Sequence, residues 1–228
     1  MTNAPPDAKL SRLLSLSVHE FRSPISVVSG YLRMVLKDPT GSLEERYKKM
    51  LEEAEKSCTR LATLVAEMSD LSALEAGTAS FKRSPIDIRA LLSETIRGLS
   101  PLTDRTVDVD LTTGEGPAVV HGDAPRLKTA LASILYGLRR EIVNDDKLMV
   151  SERYAPLRGN PASWIAIADG ETIEAVQATE PDRLATFDEW RGGCGLSLPI
   201  ARRIIDGHNG SVWSAPDLPR SAVIALPH

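Results

Sequence analysis

Apolar side chains recur in alternating steps of four and three along the first third of the chain, in two separate runs. This spacing is the heptad pattern of helices that pack through an apolar stripe. The sequence "DPTG" at residues 38–41 separates the runs, and Gly77 follows the second run in the position of a helix C-cap. We therefore predict a hairpin of two long helices over residues 8–76. The first run is Leu14, Val18, Phe21, Ile25, Val28, Leu32 and Val35, and the second is Tyr47, Leu51, Ala54, Cys58, Leu61, Val65, Met68 and Ser72.

The two predicted stripes have a consequence for association. A pair of helices on its own leaves one side of each apolar stripe in contact with water. Two hairpins that pack together cover those stripes, as in an antiparallel four-helix bundle. We therefore expect a homodimer, in which the hairpins of two copies form a four-helix bundle.

From residue 81 onward, short apolar runs typical of strands alternate with helical segments. The order of these segments follows no strict strand–helix–strand repeat, which favours an α+β fold with helices layered on a mixed sheet. We predict a linker over residues 77–85 and an α/β-sandwich domain over residues 86–228. The predicted strands include "RTVDVDL", "ASWIAIAD", "GSVWSA" and "SAVIALP", and the predicted helices include "APRLKTALASILYGLRREI" and "CGLSLPIARRIIDGH".

Composition and charge exclude several classes of protein. Of the 228 residues, 42% are hydrophobic and 25% are charged, and the net charge of −4 provides no basic surface for nucleic acid. The first residues lack the features of a signal peptide, and no apolar run approaches the roughly 18 residues of a membrane span. We expect a cytoplasmic protein without a membrane segment. The two cysteines form no CxxC pattern and the four histidines are scattered, so we expect no metal site.

The segment "HEFRSP", residues 19–24, places unusual chemistry inside the first apolar run. His19 follows Val18 by one position, at the edge of the stripe, where solvent and another protein can reach it. Glu20 can accept a hydrogen bond from the imidazole and increase its nucleophilicity. Pro24 removes a backbone donor and bends the helix near His19. This arrangement suits phosphoryl acceptance, although a surface histidine in a kinked helix is the alternative interpretation of these residues alone.

The order His-Glu-Phe-Arg-Ser-Pro resembles the H-box of bacterial sensor histidine kinases. The segments "LVAEMSDLSALEAG" and "SPIDIRALLSETI" resemble the end of that family's second helix and its entry into the ATP-binding domain. The resemblance implies that His19 carries the phosphoryl group, that Glu20 is the general base and that Arg22 contacts phosphate. Ser23 occupies a position from which some members orient a water for dephosphorylation, or it is simply a solvated helix residue. The implied partners are a response-regulator receiver domain and an upstream histidine kinase.

The segment "GCGLSLPIARRIIDGHNGSVW" is similar to the family's glycine box, which touches the phosphates of ATP. By this resemblance, Gly193 and Gly195 approach phosphate at a helix N-terminus, and Asp169 reads adenine.

Three departures from the family pattern predict weakened or lost nucleotide binding. Ser133 and Gly137 stand where the family has asparagines, and glycine offers no oxygen ligand to Mg²⁺. Glu171 and Ile173 stand where glycines make room for the nucleotide. The following segment has no glycines and contains acids that repel ATP, which Arg183 and Arg191 only partly offset. These acids are Glu171, Glu174, Glu180, Asp182, Asp188 and Glu189.

Three functions remain open at this point. The first is a phosphotransfer or phosphatase protein of two-component signalling, in which His19 exchanges phosphate with receiver aspartates and ATP is little used. The second is an ATP-dependent autokinase with a divergent site, in which Glu141 or Asn144 recruits Mg²⁺. The third is a dimeric scaffold or inhibitor without enzymatic activity. The chain is either a freestanding relay component or the cytosolic part of a longer receptor.

Overall fold

The computed structural model describes residues 8–37, 44–142 and 147–228, and within the first helix it describes the side chains of Val18 and of Glu20 onward. The chain divides into two compact units, Met1–Ala79 and Ser80–His228. None of the helices in these described ranges has the length and apolar character needed to cross a bilayer.

The first unit is a hairpin of helices α1 (Ala8–Leu36) and α2 (Glu45–Glu75), as the two apolar runs predict. Helix α1 continues through Pro24, and Ser26 Oγ donates a hydrogen bond to the Arg22 carbonyl at 2.8 Å. Gly77 follows α2 with a left-handed φ of 66°, and its amide donates to the Leu74 carbonyl at 3.1 Å. The predicted helix end at Gly77 is therefore confirmed.

The apolar stripe of each helix divides into buried and exposed members. Val18 is 3% exposed, whereas Phe21 and Val28 on the same run are 54% and 50% exposed. In α2, Val65 is 6% exposed and Leu61 is 49% exposed. Each stripe therefore contains residues that are buried within the hairpin and residues that form an apolar surface on its outside.

The second unit contains eight strands and four helices longer than a single turn among its described residues. In chain order these are β1 (Ser84–Asp87), α3 (Ile88–Arg97), β2 (Asp108–Thr113), β3 (Val119–Gly122), α4 (Ala124–Glu141), β4 (Lys147–Leu157), β5 (Asn160–Asp169), α5 (Ile173–Ala178), β6 (Ala185–Thr186), α6 (Ser197–Gly207), β7 (Ser211–Ala215) and β8 (Leu218–Pro227).

Six of these strands form one mixed sheet in the order β2-β4-β5-β8-β7-β6. Strand β2 runs parallel to β4, and the other neighbouring strands in this sheet are antiparallel. Strands β1 and β3 form a separate antiparallel ribbon. The predicted α+β class, a helical hairpin followed by a mixed-sheet domain, is confirmed.

Strand β5 is buried on both faces because helices cover both sides of the sheet. On one face, Trp164 and Ala166 form a cluster with Ile173 and Val176 of α5. Side chains alternate along a strand, so the fully buried Ile165 points to the opposite face. Helix α4 packs against α3, α6 and β8 and belongs to that second layer.

The segment between β5 and α6 differs from the sequence expectation of an acid-rich loop. Its first part forms α5 and covers a sheet face, and its second part adds β6 to the sheet edge. In that edge strand, Ala185 pairs with Ser214 of β7. The apolar anchors Ile173, Val176 and Phe187 are buried, but their spacing follows no simple period, so periodicity did not reveal them.

Candidate functional site

The residues expected to transfer phosphate lie together on α1. Val18 is buried within the hairpin, and Glu20, Arg22 and Ser23 are exposed on the turn that follows. The side chain of His19 lies outside the described residues, so its place at the rim of the stripe stays a prediction. Because α1 is helical throughout this segment, the four residues expected to act on phosphate lie within little more than one helical turn.

Asp169, the expected adenine-binding residue, ends strand β5 and holds the turn that follows. Its Oδ1 accepts hydrogen bonds from the Thr172 amide at 2.9 Å and from Thr172 Oγ1 at 2.5 Å. That turn leads directly into α5, on the sheet face covered by the Trp164 cluster. The carboxylate therefore directs the chain toward α5.

Gly193 and Gly195, the expected phosphate-binding glycines, lie in a tight turn before α6. Both have a left-handed backbone, with φ of 61° and 60°, and a Cβ at either position would meet no atom within 4 Å. The glycines are thus required by backbone conformation rather than by packing. Ser197 Oγ donates to the Cys194 carbonyl at 2.7 Å and closes this turn at the start of α6.

The glycine turn packs directly onto α4 at the position where the family carries a metal-binding asparagine. A Cβ at Gly137 would lie 3.3 Å from Cys194 Sγ and 3.5 Å from the Leu198 side chain. Burial raises the pKa of the Cys194 thiol, which keeps it a neutral packing group. A side chain at Gly137 would therefore require Cys194 to shift by a few tenths of an ångström.

A second link closes the same region at the end of α4. Both carboxylate oxygens of Glu141 accept hydrogen bonds from Arg191, the first from Nε at 2.9 Å. The side chains are only 8% exposed at Arg191 and 19% exposed at Glu141. The Arg191 guanidinium also lies 5.7 Å from the centre of the buried Phe187 ring. Sequence reasoning considered Glu141 as a metal ligand and did not predict this ion pair.

Glu189 anchors the same segment to α6. Its buried carboxylate accepts hydrogen bonds from Arg202 at 3.1 Å and from Arg203 at 2.6 Å. Phe187, Glu189 and Arg191 therefore alternate as inward-facing anchors of one short segment. The sequence signal for this arrangement is the alternation of these three residues with exposed ones, which net charge does not reveal.

These contacts do not fit a magnesium–nucleotide site. Mg²⁺ requires oxygen ligands in near-octahedral geometry, and Gly137 supplies none. Glu141 is occupied by Arg191, and Asn144 lies outside the described residues. Within the described part of the chain, no group of three or more histidine, cysteine, aspartate or glutamate side chains is arranged to hold a metal ion.

A cavity of about 560 Å³ lies nearby, at the β6 edge of the sheet. It is lined by residues of β6, of β7 and of the turn into β8, together with Glu141 and Arg191. Asp169, Gly193 and Gly195 do not line it. The expected nucleotide-binding residues therefore do not share this cavity.

Comparison with known proteins places the helical hairpin in the class of phospho-acceptor domains. Residues 9–77 match the family model of the His Kinase A (phospho-acceptor) domain. Residues 9–77 therefore form a His Kinase A (phospho-acceptor) domain, and the whole chain is similar to histidine kinases of two-component signalling.

Two curated relatives illustrate the similarity over the whole chain. Sensor protein GacS of Pseudomonas syringae pv. syringae is 24% identical over 214 residues, which cover 89% of this chain and 23% of GacS. The cell-division control histidine kinase PdhS of Brucella anthropi is 22% identical over 249 residues, which cover 100% of this chain and 23% of PdhS. The chain thus spans less than a quarter of the length of either relative.

Two solved structures share the fold. Full-length ShkA in complex with AMPPNP matches with a TM-score of 0.68 and 22% identity, over 95% of this chain and 45% of ShkA. The Acinetobacter baumannii histidine kinase AdeS matches with a TM-score of 0.51 and 19% identity, over 92% of this chain and 97% of that chain.

Proposed function

We propose that this chain is a histidine phosphotransfer protein of two-component signalling that makes little use of ATP as a phosphoryl donor. In this proposal, residues 8–76 form the phosphotransfer hairpin and residues 86–228 form a catalytic-like domain that has lost nucleotide binding. His19 exchanges a phosphoryl group with the aspartate of a response-regulator receiver domain.

The observation that carries the proposal is the packing of the glycine turn against α4. The side chains of Cys194 and Leu198 lie where a Cβ atom at Gly137 would contact them. The Glu141–Arg191 ion pair joins α4 to the same segment. Phosphoryl transfer from ATP depends on metal ions and on precise positioning of the γ-phosphate. Since each 1.4 kcal/mol is about a factor of ten in rate, a loss of several kcal/mol on removal of a metal ligand would slow autophosphorylation by orders of magnitude.

The exchange itself requires only groups on α1 and the receiver. The unprotonated ring nitrogen of His19 attacks the phosphorus of an aspartyl phosphate, forming a P–N bond as the P–O bond to the carboxylate breaks. The aspartate leaves as a free carboxylate, and the proton on the other ring nitrogen passes to Glu20. Arg22 offsets the charge of the phosphoryl oxygens, and Ser23 orients a water when the protein acts as a phosphatase.

The proposed protein is a homodimer, with the four-helix bundle built from two hairpins. The outer apolar surface supports this assembly, because Phe21, Val28 and Leu61 leave about half of their surface exposed in one copy. Contiguous exposed apolar surfaces of this kind mark interaction sites. A second hairpin with the same heptad spacing offers the complementary stripe.

An autokinase with a divergent ATP site is the second candidate. It is favoured by the glycine turn, in which Gly193 and Gly195 keep the left-handed backbone that a phosphate-binding loop requires. In that case the ion pair of Glu141 and Arg191 must open when nucleotide binds.

Phosphotransfer from a panel of phosphorylated receiver domains tests the proposal. The wild type should acquire label from at least one receiver, His19→Gln should acquire none, and His121→Gln, at an exposed histidine on β3, should behave as the wild type. In parallel, ATP affinity is measured by calorimetry with and without Mg²⁺, and no binding is expected at millimolar nucleotide.

Two results would overturn the proposal. Labelling of His19 by ATP carrying a labelled γ-phosphate, with metal-dependent micromolar affinity, would establish the autokinase. A biological effect that survives His19→Ala, with no transfer from any receiver, would establish the scaffold.

A further inference from the structure

Near the boundary of the two units, backbone amides on both sides of Ser80 are hydrogen-bonded. On the hairpin side, the amides of Thr78 and Ala79 donate to the Ala73 carbonyl at 3.0 and 3.1 Å. On the other side, the Lys82 amide donates to Asp123 Oδ2 at 2.8 Å. Ser80 lies between these anchors and makes no hydrogen bond within the described part of the chain. The chain is therefore anchored on both sides of Ser80.

The second anchor is built around the ring of Phe81. A Cβ at Gly207 would lie 2.5 Å from the tip of this ring, so the ring rests directly on the α6 backbone. Arg83 donates to the Gly207 carbonyl at 2.6 Å and reinforces the contact. The edge of the His208 ring meets the Phe81 ring, with centroids 4.9 Å apart. We name the group Phe81, Lys82, Asp123 and His208 the linker latch.

The latch requires a neutral His208. Its Nδ1 lies 2.7 Å from the Ile204 carbonyl and so carries the proton that it donates. Its Nε2 lies 2.9 Å from the Asp123 amide nitrogen and accepts that hydrogen bond. A proton on Nε2 would face the amide proton of Asp123, and this hydrogen bond would be lost.

Charged groups around the ring oppose each other. Burial is the largest effect and lowers the pKa of His208. Arg83 and Arg126 lower it further, whereas Asp123 raises it. Burial alone raises the pKa of Asp123, but hydrogen bonds from the Lys82 and Arg126 amides lower it overall. The Asp123 carboxylate therefore stays ionised where histidine titrates, and His208 is the group in the latch that responds to mild acid.

We propose that the linker latch is a proton-sensitive device that holds the linker to the α/β unit at neutral pH and releases it in mild acid. A released histidine has an ordinary pKa near 6.5, whereas burial lowers the pKa of the latched ring. Lowering the pH from about 7.5 to about 5.5 therefore weakens the latched state, by at most about tenfold, which is the limit for a ring that stays neutral throughout. Release frees residues 80–83 from their contacts with Asp123, Gly207 and His208.

Hydrogen exchange of the full-length dimer or monomer tests the latch without any phosphoryl donor, so its outcome is independent of the phosphotransfer proposal. The protection factor of the Lys82 amide should fall, by at most about tenfold, between about pH 7.5 and about pH 5.5. The Ile88 amide, which bonds to the Ala118 carbonyl at 2.9 Å within the same unit, should keep its protection and report that the fold is intact.

Three variants complete the test. In His208→Gln the side-chain oxygen can accept from the Asp123 amide without titrating, so protection at Lys82 should not change with pH. Phe81→Ala should lower Lys82 protection at both pH values, and His121→Gln should respond as the wild type. Unchanged Lys82 protection in the wild type, or an equal fall in His208→Gln, would overturn the proposal. If His208→Gln does not fold, the pH response of Lys82 protection in the wild type, measured against the constant protection of Ile88, still decides it.

Discussion

The ion pair between Glu141 and Arg191 is the most informative single perturbation of the α/β unit. Glu141→Gln keeps the size of the side chain and removes its charge. Arg191 then remains a guanidinium with a side chain only 8% exposed, held against the Phe187 ring without a compensating carboxylate. The variant therefore isolates the electrostatic part of the contact that joins α4 to the glycine turn.

The expected loss follows from burial. Removing one partner of a fully buried ion pair costs about 3–5 kcal/mol, because the remaining charge is left without solvent or counterion. The Glu141 side chain is 19% exposed, so water partly compensates Arg191. We therefore discount the figure and expect a loss of about 2–3 kcal/mol in the free energy of unfolding.

Urea denaturation followed by tryptophan fluorescence measures this loss. All 3 tryptophans of the chain, Trp164, Trp190 and Trp213, lie in the second unit, so the signal reports the unit that contains the pair. Asp110→Asn provides a matched control, because Asp110 pairs with Lys147 at 3.2 Å while both side chains are about half exposed. This control should cost less than about 1 kcal/mol.

A double-mutant cycle with Arg191→Met decides whether the pair is coupled. The double variant should be about 2 kcal/mol more stable than the sum of the single losses predicts, because it leaves no unpaired charge. Additivity within about 0.5 kcal/mol would refute the reasoning. Glu141→Gln should also fail to bind Mg²⁺–ATP, since Gly137 still lacks a ligand; micromolar binding would show that the ion pair alone had excluded the nucleotide.

Further predictions concern packing, assembly and pH. Gly137→Asn should destabilise the second unit by about 1–3 kcal/mol through overpacking and should not create ATP binding, as urea denaturation and calorimetry will measure; nucleotide binding without loss of stability would contradict this. Phe21→Glu should shift the protein to monomer in light scattering, whereas Thr63→Glu, exposed on the opposite side of the heptad stripe, should not; an unchanged dimer in both variants would remove the proposed interface. Because the pKa of His208 is lowered in the folded state, the free energy of unfolding should fall as pH drops below about 6.5. His208→Gln should remove that part of the pH dependence, and an identical pH profile in the variant would assign it to another group.

The helical hairpin was predictable because its information is local. Each stripe repeats every three or four residues, and a break and a glycine mark the ends, so bounds near those of α1 and α2 follow from spacing alone. The spacing does not show which stripe residues are buried within the hairpin and which are exposed. Val18 and Phe21 are equivalent in the pattern, yet Val18 is buried within one hairpin and Phe21 is exposed.

The strands of the α/β unit were predicted where they carry apolar runs or a regular apolar–polar alternation, and a strand was missed where neither signal extends along it. Strand β5 is apolar over most of its length because both faces are buried. Strand β4 has charged and polar residues in its second half and lacks such a signal. Helix α5 has six residues and two buried anchors, too few to establish a helical period.

By itself, the sequence determined the hairpin and the α+β class, and it located the segment around His19 that we propose accepts phosphate, because each depends on residue type at short range. Only the tertiary structure decided how the acidic segment after Asp169 is used. It covers a sheet face, adds an edge strand and pairs Glu189 and Arg191 with charges on two helices. Those contacts join residues far apart in the chain, and ion pairs depend on distance and burial, neither of which is encoded in local spacing.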